Sequence, residues 1–124
     1  MSTLVAQTIS NGTVSTSSAN VIQGSAKAWV SFNGVPATPT IGASYNVSSV
    51  TKATTGSYLI TFTNAFADTN YAVCGSARNT SSGNTIFCPV PDVALTTTTI
   101  RVNTQIAASN TNADCTYVYA SFFR

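Results

Sequence analysis

Ala26-Lys27-Ala28-Trp29-Val30-Ser31-Phe32 alternates along its whole length. Ala26, Ala28, Val30 and Phe32 fall on one side, and Lys27, Trp29 and Ser31 on the other. That is the two-residue period of a half-buried β-strand. Asn33-Gly34 ends it as a turn, and Pro36 and Pro39 keep the next segment extended. A short strand over Ile41 to Tyr45 leads into Val47 to Val50, and Gly56 marks another turn. Ser57 to Thr63 places Tyr58, Ile60 and Phe62 on one face. Tyr71 to Ala77 sets Tyr71 and Val73 opposite Cys74. Ser81-Ser82-Gly83-Asn84 reads as a loop before Thr85 to Cys88, and Pro89 and Pro91 then exclude a central strand. Thr96 to Thr99 reads as an exposed strand edge or its lead-in. Thr98 to Thr104 puts Ile100 and Val102 opposite Arg101, and Ser109-Asn110-Thr111-Asn112 reads as a turn. The last strand, Asp114 to Phe123, sets Cys115, Tyr117 and Tyr119 against Thr116, Val118 and Ala120.

Roughly seven or eight short strands between turn signals predict an all-β fold, a single antiparallel β-sandwich, with a jelly roll as one form of it. Composition points the same way. Val, Ile and Thr number 40 of the 124 residues, against four Leu and Met. Branched Cβ atoms suit a pleated surface better than a helix, so long helices are not expected. A chain of 12.8 kDa makes one such domain, placed here at residues 25–124.

Residues 1–24 read differently. They hold one aliphatic cluster, Leu4, Val5 and Ile9, then Asn11-Gly12 and Ser15-Thr16-Ser17-Ser18, with no aromatic residue before Trp29. Such a segment builds no core of its own. The expectation is an extended N-terminal arm that orders against a partner, with Leu4, Val5 and Ile9 as the partner-anchoring residues.

Only eight side chains are charged, and histidine is absent. The polar surface is instead supplied by 21 Thr, 16 Ser and 11 Asn. With so little repulsion between copies, and uncharged strand edges that invite pairing, the expected partner is another copy of the chain. Lys27, Lys52, Arg78, Arg101 and Arg124 are scattered, which speaks against nucleic-acid binding. No apolar run is long enough for membrane insertion, and Met1 to Val5 lacks the form of a secretory signal.

The inventory for catalysis is thin. A serine nucleophile has no histidine to activate it, and no SxxK spacing recruits Lys27 or Lys52. Asp68, Asp92 and Asp114 are the whole acidic set, each in or beside a turn, where Asp ordinarily serves local hydrogen bonding. The isolated glycines form no phosphate-binding loop. The expectation is a chain that is not an enzyme and carries no cofactor or metal. Cys74, Cys88 and Cys115 are too widely spaced for a zinc set or a disulfide framework. They read as small buried hydrophobes, or as the source of one bridge, Cys74 to Cys115 or Cys74 to Cys88. The sequons at Asn11, Asn46 and Asn79 follow from Asn, Thr and Ser abundance.

Trp29 has two readings: an aromatic packed in the core or a subunit contact, or a stacking platform for a sugar ring. Tyr117 and Tyr119 share that ambiguity. Asn110 and Asn112 are the amides that would meet glycan hydroxyls.

Gln23-Gly24-Ser25-Ala26-Lys27-Ala28-Trp29-Val30-Ser31-Phe32-Asn33-Gly34 resembles a segment of tailed-bacteriophage virion-surface structural proteins. So do Ile41-Gly42-Ala43-Ser44-Tyr45-Asn46-Val47-Ser48-Ser49-Val50, Ser57-Tyr58-Leu59-Ile60-Thr61-Phe62-Thr63 and Phe66-Ala67-Asp68-Thr69-Asn70-Tyr71-Ala72-Val73. The opening Met1-Ser2-Thr3-Leu4 and the turn at Ile9-Ser10-Asn11-Gly12 add to it, so that it covers residues 1 to about 77. The resemblance implies a β-sandwich in a homotrimer, part of a tail fibre, a spike or a capsid decoration. Such a protein is made in the host cytoplasm and displayed on the virion surface. The arm would dock on capsid, neck or tail proteins, and host attachment through a surface glycan is the alternative role.

Overall fold

Alternation along Ala28–Asn33 is the alternation seen in space: Ala28, Val30 and Phe32 are buried, while Trp29 is exposed. The structure is a computed structural model and describes residues 2–80, 84–90 and 93–124. The expected loop at Ser81-Ser82-Gly83, together with Pro91 and Asp92, lies outside the described residues.

In chain order the elements are β1 (Thr8–Ser10), β2 (Ser15–Ser17), α1 (Ser18–Gly24), β3 (Ala28–Asn33), β4 (Thr40–Tyr45) and β5 (Val47–Thr54). They continue with β6 (Ser57–Phe62), β7 (Ala72–Arg78), β8 (Thr85–Pro89), β9 (Thr99–Ile106), β10 (Thr111–Asn112) and β11 (Tyr117–Phe123). Among the described residues the strands form a separate β1–β2 pair and two larger antiparallel sheets. One sheet runs β4-β3-β11-β7. The other runs β10-β9-β6-β5, with β8 also paired to β9. β8 ends at Pro89 and lies, among the described residues, alone on one flank of β9, opposite β6 and β10: Ile106 and Gln105 pair with both β8 and β10, and Val102 and Asn103 with both β8 and β6. Proline is tolerated in such an edge strand.

The inward rows of both sheets meet in one hydrophobic cluster. Ala28, Val30, Phe32, Val118, Ala120 and Phe122 come from the first sheet, and Val50, Tyr58, Ile60, Phe62, Ile100 and Val102 from the second. Rings bridge the sheets edge to face: Phe32 and Tyr58 have centroids 5.1 Å apart, and Phe62 and Phe122 5.0 Å. Phe66 and Tyr71 close this aromatic group from the connection before β7. Each fully buried side chain of this size is worth about 1.5–3 kcal/mol relative to exposure. Gly56, at φ +64°, turns β5 into β6 so close to Ala113 and Thr104 that a Cβ would strike their backbone atoms.

Thr96 to Thr99 forms the lead-in and not the strand edge. The Thr96 hydroxyl accepts from the N–H groups of Thr98 (3.2 Å) and Thr99 (2.8 Å), a local turn that delivers the chain into β9.

The N-terminal segment departs from a plain extended arm. Asn11 caps a tight turn between β1 and β2, its Oδ1 accepting from Thr13 and Val14 N–H groups at 3.1 and 2.9 Å. Ser17 then serves as N-cap of α1, accepting from the Asn20 N–H at 3.2 Å. Ser17 followed by Ser18-Ala19-Asn20-Val21-Ile22-Gln23-Gly24 is the sequence signal of that helix, which ends where Ser25 turns extended as its C-cap. None of residues 2–24 is buried. Among the described residues no helix is long and apolar enough to cross a membrane.

Candidate functional site

The outer face of the sheet β4-β3-β11-β7 gathers exposed aromatic side chains. Register places Tyr45, Trp29, Ser121 and Cys74 in one row across the four strands, and Ala43, Ser31, Tyr119 and Ser76 in the next. A further row begins with Tyr117 opposite Arg78, whose guanidinium lies 5.6 Å from the Tyr117 ring centroid. On β3 and β11 strand alternation turns Trp29, Ser31, Tyr119 and Ser121 outward, because their neighbours Ala28, Val30, Phe32, Val118, Ala120 and Phe122 fill the core. Trp29 is 40% exposed, Tyr119 46% and Tyr45 59%. Trp29 is therefore not a core residue, which corrects the packed-core reading of it. Its neighbours Val30 and Ala28 fill the core instead.

On this face lies an open groove of about 500 Å³, lined by Trp29, Ser31, Cys74, Ser76, Tyr119 and Ser121. Among the described residues no charged side chain lines it. Aromatic and hydroxyl groups are laid out as a checkerboard, with Trp29 beside Ser121 and Ser31 beside Tyr119.

Asn110 and Asn112, the expected amide partners of Trp29, are not brought to it. They belong to the other sheet. Asn110 takes a left-handed conformation, φ 50°, in the turn between β9 and β10. Asn112 pairs with Gln105, whose Nε2 donates to its Oδ1 at 3.0 Å. Their work is local, and the core separates them from the aromatic groove.

A second polar cluster ties together loops at one end of the two sheets. The Asp114 carboxylate takes the Lys52 ammonium at 2.7 Å, the Gly56 N–H at 2.8 Å and the Tyr58 hydroxyl at 3.1 Å. Lys52 also donates to the Val35 carbonyl at 2.8 Å, and the Tyr58 hydroxyl lies 3.2 Å from the Gly34 carbonyl. Burial by itself would raise the Asp114 carboxyl. The hydrogen bond from Lys52, with those from Gly56 and Tyr58, outweighs it and holds the group below its ordinary 3.8. Burial, reinforced by the Asp114 charge, pushes Tyr58 above the ordinary tyrosine range, and burial raises the Cys115 thiol above 9.0. An acid, an amine, a phenol and a thiol are thus near one another, but the carboxylate is spent on holding three loops. Sequence reading assigned Asp114 a local turn role; its partners instead lie more than fifty residues back. Asp68 does serve locally, accepting from the Asn70 N–H at 2.8 Å, and also binds Arg124 through two nitrogens at 2.8 and 2.5 Å.

The cysteines are all free. Cys115 alone is buried; Cys74 is exposed and Cys88 is half-buried. Neither proposed bridge forms. Cys74 sits opposite Ser121 at the far part of β11 from Cys115, roughly 20 Å away at about 3.3 Å per residue, where a disulfide needs Cα atoms within about 7 Å. Cys74 and Cys88 point outward from different sheets. Among the described residues no group of three or more His, Cys, Asp or Glu is placed to hold a metal ion.

The remaining candidate residues, Leu4, Val5 and Ile9, are exposed at 91%, 87% and 49%. Val14, Val21 and Ile22 join them, so that the whole N-terminal segment presents aliphatic side chains without a covering surface of its own chain. Compared with protein-family models, with curated proteins and with solved structures, the chain matches none.

Proposed function

We propose that this chain is a non-enzymatic structural protein of a bacteriophage virion surface, a short fibre, a spike or a capsid-decorating protein. In this reading residues 25–124 form a β-sandwich that projects outward, and residues 1–24 hold it to a capsid, neck or tail protein. The observation that carries the reading is the N-terminal segment. A lone two-stranded hairpin is at best marginally stable in water, and so is a helix of seven residues. Fixing each residue costs about 1–2 kcal/mol. A segment that buries none of its own aliphatic side chains recovers little of that cost until a partner covers Leu4, Val5, Val14 and Ile22.

Two further features support it. The uncharged Ser, Thr and Asn surface places no electrostatic barrier between copies, which suits a homotrimer. β4 is an exposed edge of its sheet and carries no charged residue along Thr40–Tyr45, the kind of edge that pairs with another chain unless it is blocked. The resemblance in the first 77 or so residues points to the same class of protein.

The test is particle incorporation. The full chain should band with purified phage particles and be detected there by mass spectrometry, and a chain lacking residues 2–24 should remain in the unassembled fraction. Absence of the full chain from particles, or undiminished incorporation of the truncated one, would overturn the reading. Sedimentation at micromolar concentration should give a trimer; a monodisperse monomer defeats the self-association part.

A further inference from the structure

We infer that the groove on the outer face of β4-β3-β11-β7 is a binding site for a neutral carbohydrate, with Trp29 and Tyr119 as stacking surfaces and Ser31, Ser76 and Ser121 as hydrogen-bonding partners. The inference stands on this face alone and does not require the N-terminal segment to be an anchor.

Three observations select the ligand class. The first is the absence of charge: none of the described lining residues carries it, so an anionic ligand would be desolvated with no described side chain to pair it. The second is the pattern. Trp29 and Tyr119 occupy one diagonal of the register square, and Ser31 and Ser121 the other. Diagonal neighbours across antiparallel strands are about 7–8 Å apart, a spacing on the scale of a sugar ring and its linkage. A pyranose has one apolar face of C–H groups and a rim of equatorial hydroxyls. It can place the first on an aromatic surface and the second on serine hydroxyls, whereas a wholly apolar ligand would bury those hydroxyls unsatisfied. The third is availability. Among the described residues, the hydroxyls of Ser31, Ser76 and Tyr119 and the indole N–H of Trp29 have no hydrogen-bond partner in the protein. Ser121 donates to the Cys74 carbonyl at a long 3.4 Å.

A volume of about 500 Å³ falls within the range of small-ligand sites. The groove is open, so single-site binding should be weak, and repetition of the site in an oligomer would raise the avidity by linking sites at high effective concentration.

The chain supplies its own reporters. Trp29 is its single tryptophan, and Cys74 is an exposed thiol within the groove. The full chain is titrated with cellohexaose, maltohexaose, xylohexaose and chitohexaose, with sialyllactose as the anionic comparison. Tryptophan emission and the rate of Cys74 alkylation are followed, the latter by peptide mass spectrometry. The expected result is a saturable emission change and slowed Cys74 alkylation with at least one neutral sugar. Tyr119→Ala and Trp29→Ala should each weaken binding by about tenfold or more, measured by calorimetry, and Asn112→Ala should leave it unchanged. Tyr119→Phe tests the variants against misfolding, since it keeps the ring and should retain most of the binding. No saturable change with any neutral sugar overturns the inference, as does binding of sialyllactose alone or binding indifferent to Tyr119→Ala. So does conversion of an oligomer to monomers by Trp29→Ala, which would make this face a contact between copies.

Discussion

Residues 2–24 and residues 25–124 draw on much the same stock of side chains, yet only the second has an interior. Both are rich in Ser, Thr and Asn, and both contain Val and Ile. What separates them is ring-bearing residues. All the Phe, Tyr and Trp lie beyond residue 24, and Phe32, Tyr58, Phe62, Phe66, Tyr71 and Phe122 interlock at centroid distances of 4.7 to 6.2 Å across and beside the two sheets. Aliphatic side chains of the N-terminal segment have no such surface to meet. The difference teaches that strand propensity and turn chemistry suffice to shape a hairpin and a helix, while burial depends on bulky side chains at alternate positions.

The sharpest way to break that comparison is to remove one ring. Phe122 is fully buried and touches Phe62 and Tyr71. Phe122→Ala should cost about 3–5 kcal/mol and lower Tm by roughly 10 °C or more, followed by circular dichroism on heating. A loss under 1 kcal/mol would mean that the two sheets do not depend on their shared aromatic core.

A smaller effect, within the body, belongs to Asp114. Asp114→Ala leaves the Gly56 N–H without its partner and the Lys52 ammonium with only the Val35 carbonyl, at about 1–3 kcal/mol. The pH dependence has a definite sign. A carboxyl whose folded pKa lies below its unfolded value stabilises the fold above 3.8, and the contribution is lost as pH falls through the lower folded value. Asp68, held low first by Arg124, has the same sign, but it is an exposed pair that salt screens. Denaturant titrations in high salt should therefore show an acid limb that Asp114→Ala flattens and Asp68→Ala does not. At the alkaline end the sign reverses. Tyr58 and Cys115 are raised by burial, so their contribution is full below the ordinary 10.0 and 9.0 and falls away as pH rises beyond them. Tyr58→Phe should remove the later part of that loss.

The strands were legible in the sequence because period-two alternation is a local signal. β3, β9 and most of β6 and β11 follow it, with Tyr58, Ile60 and Phe62 or Ile100 and Val102 inward. The departures are Ser57, buried beside Tyr58, and Cys115, which lies before β11 begins at Tyr117 and is buried, not on the outward face of Tyr117 and Tyr119. Two kinds of information were not legible. Sheet order and register are long-range, so nothing in the chain announced that Trp29 would stand beside Ser121, or that Asp114 would reach Lys52, Gly56 and Tyr58. For the same reason Asn110 and Asn112 were grouped with Trp29 by chemistry, although they lie in the other sheet. The helix α1 was readable from Ser17 and Gly24, but it is short and sits in a stretch of Ser and Thr whose composition suggested extended chain.

The smallest expected effect on stability is also the most pointed test of the difference between the two regions. Leu4 and Val5 are almost fully exposed, and neither joins the hydrophobic cluster of the two sheets. Leu4→Ser with Val5→Ser removes apolar surface that the folded chain never takes from water, so the transfer contribution to folding is near zero. Tm should move by less than about 2 °C, since exposed substitutions ordinarily stay within about 0.5 kcal/mol. Deleting residues 2–24 altogether should shift the unfolding of the body little more. If the same double variant fails to enter particles while its unfolding curve is unchanged, the aliphatic cluster acts on a partner and not on its own fold. A large fall in Tm would show instead that Leu4 and Val5 are buried by the chain's own sheets or by another copy in the assembled protein, and the distinction between an uncovered segment and a self-sufficient body would have to be abandoned.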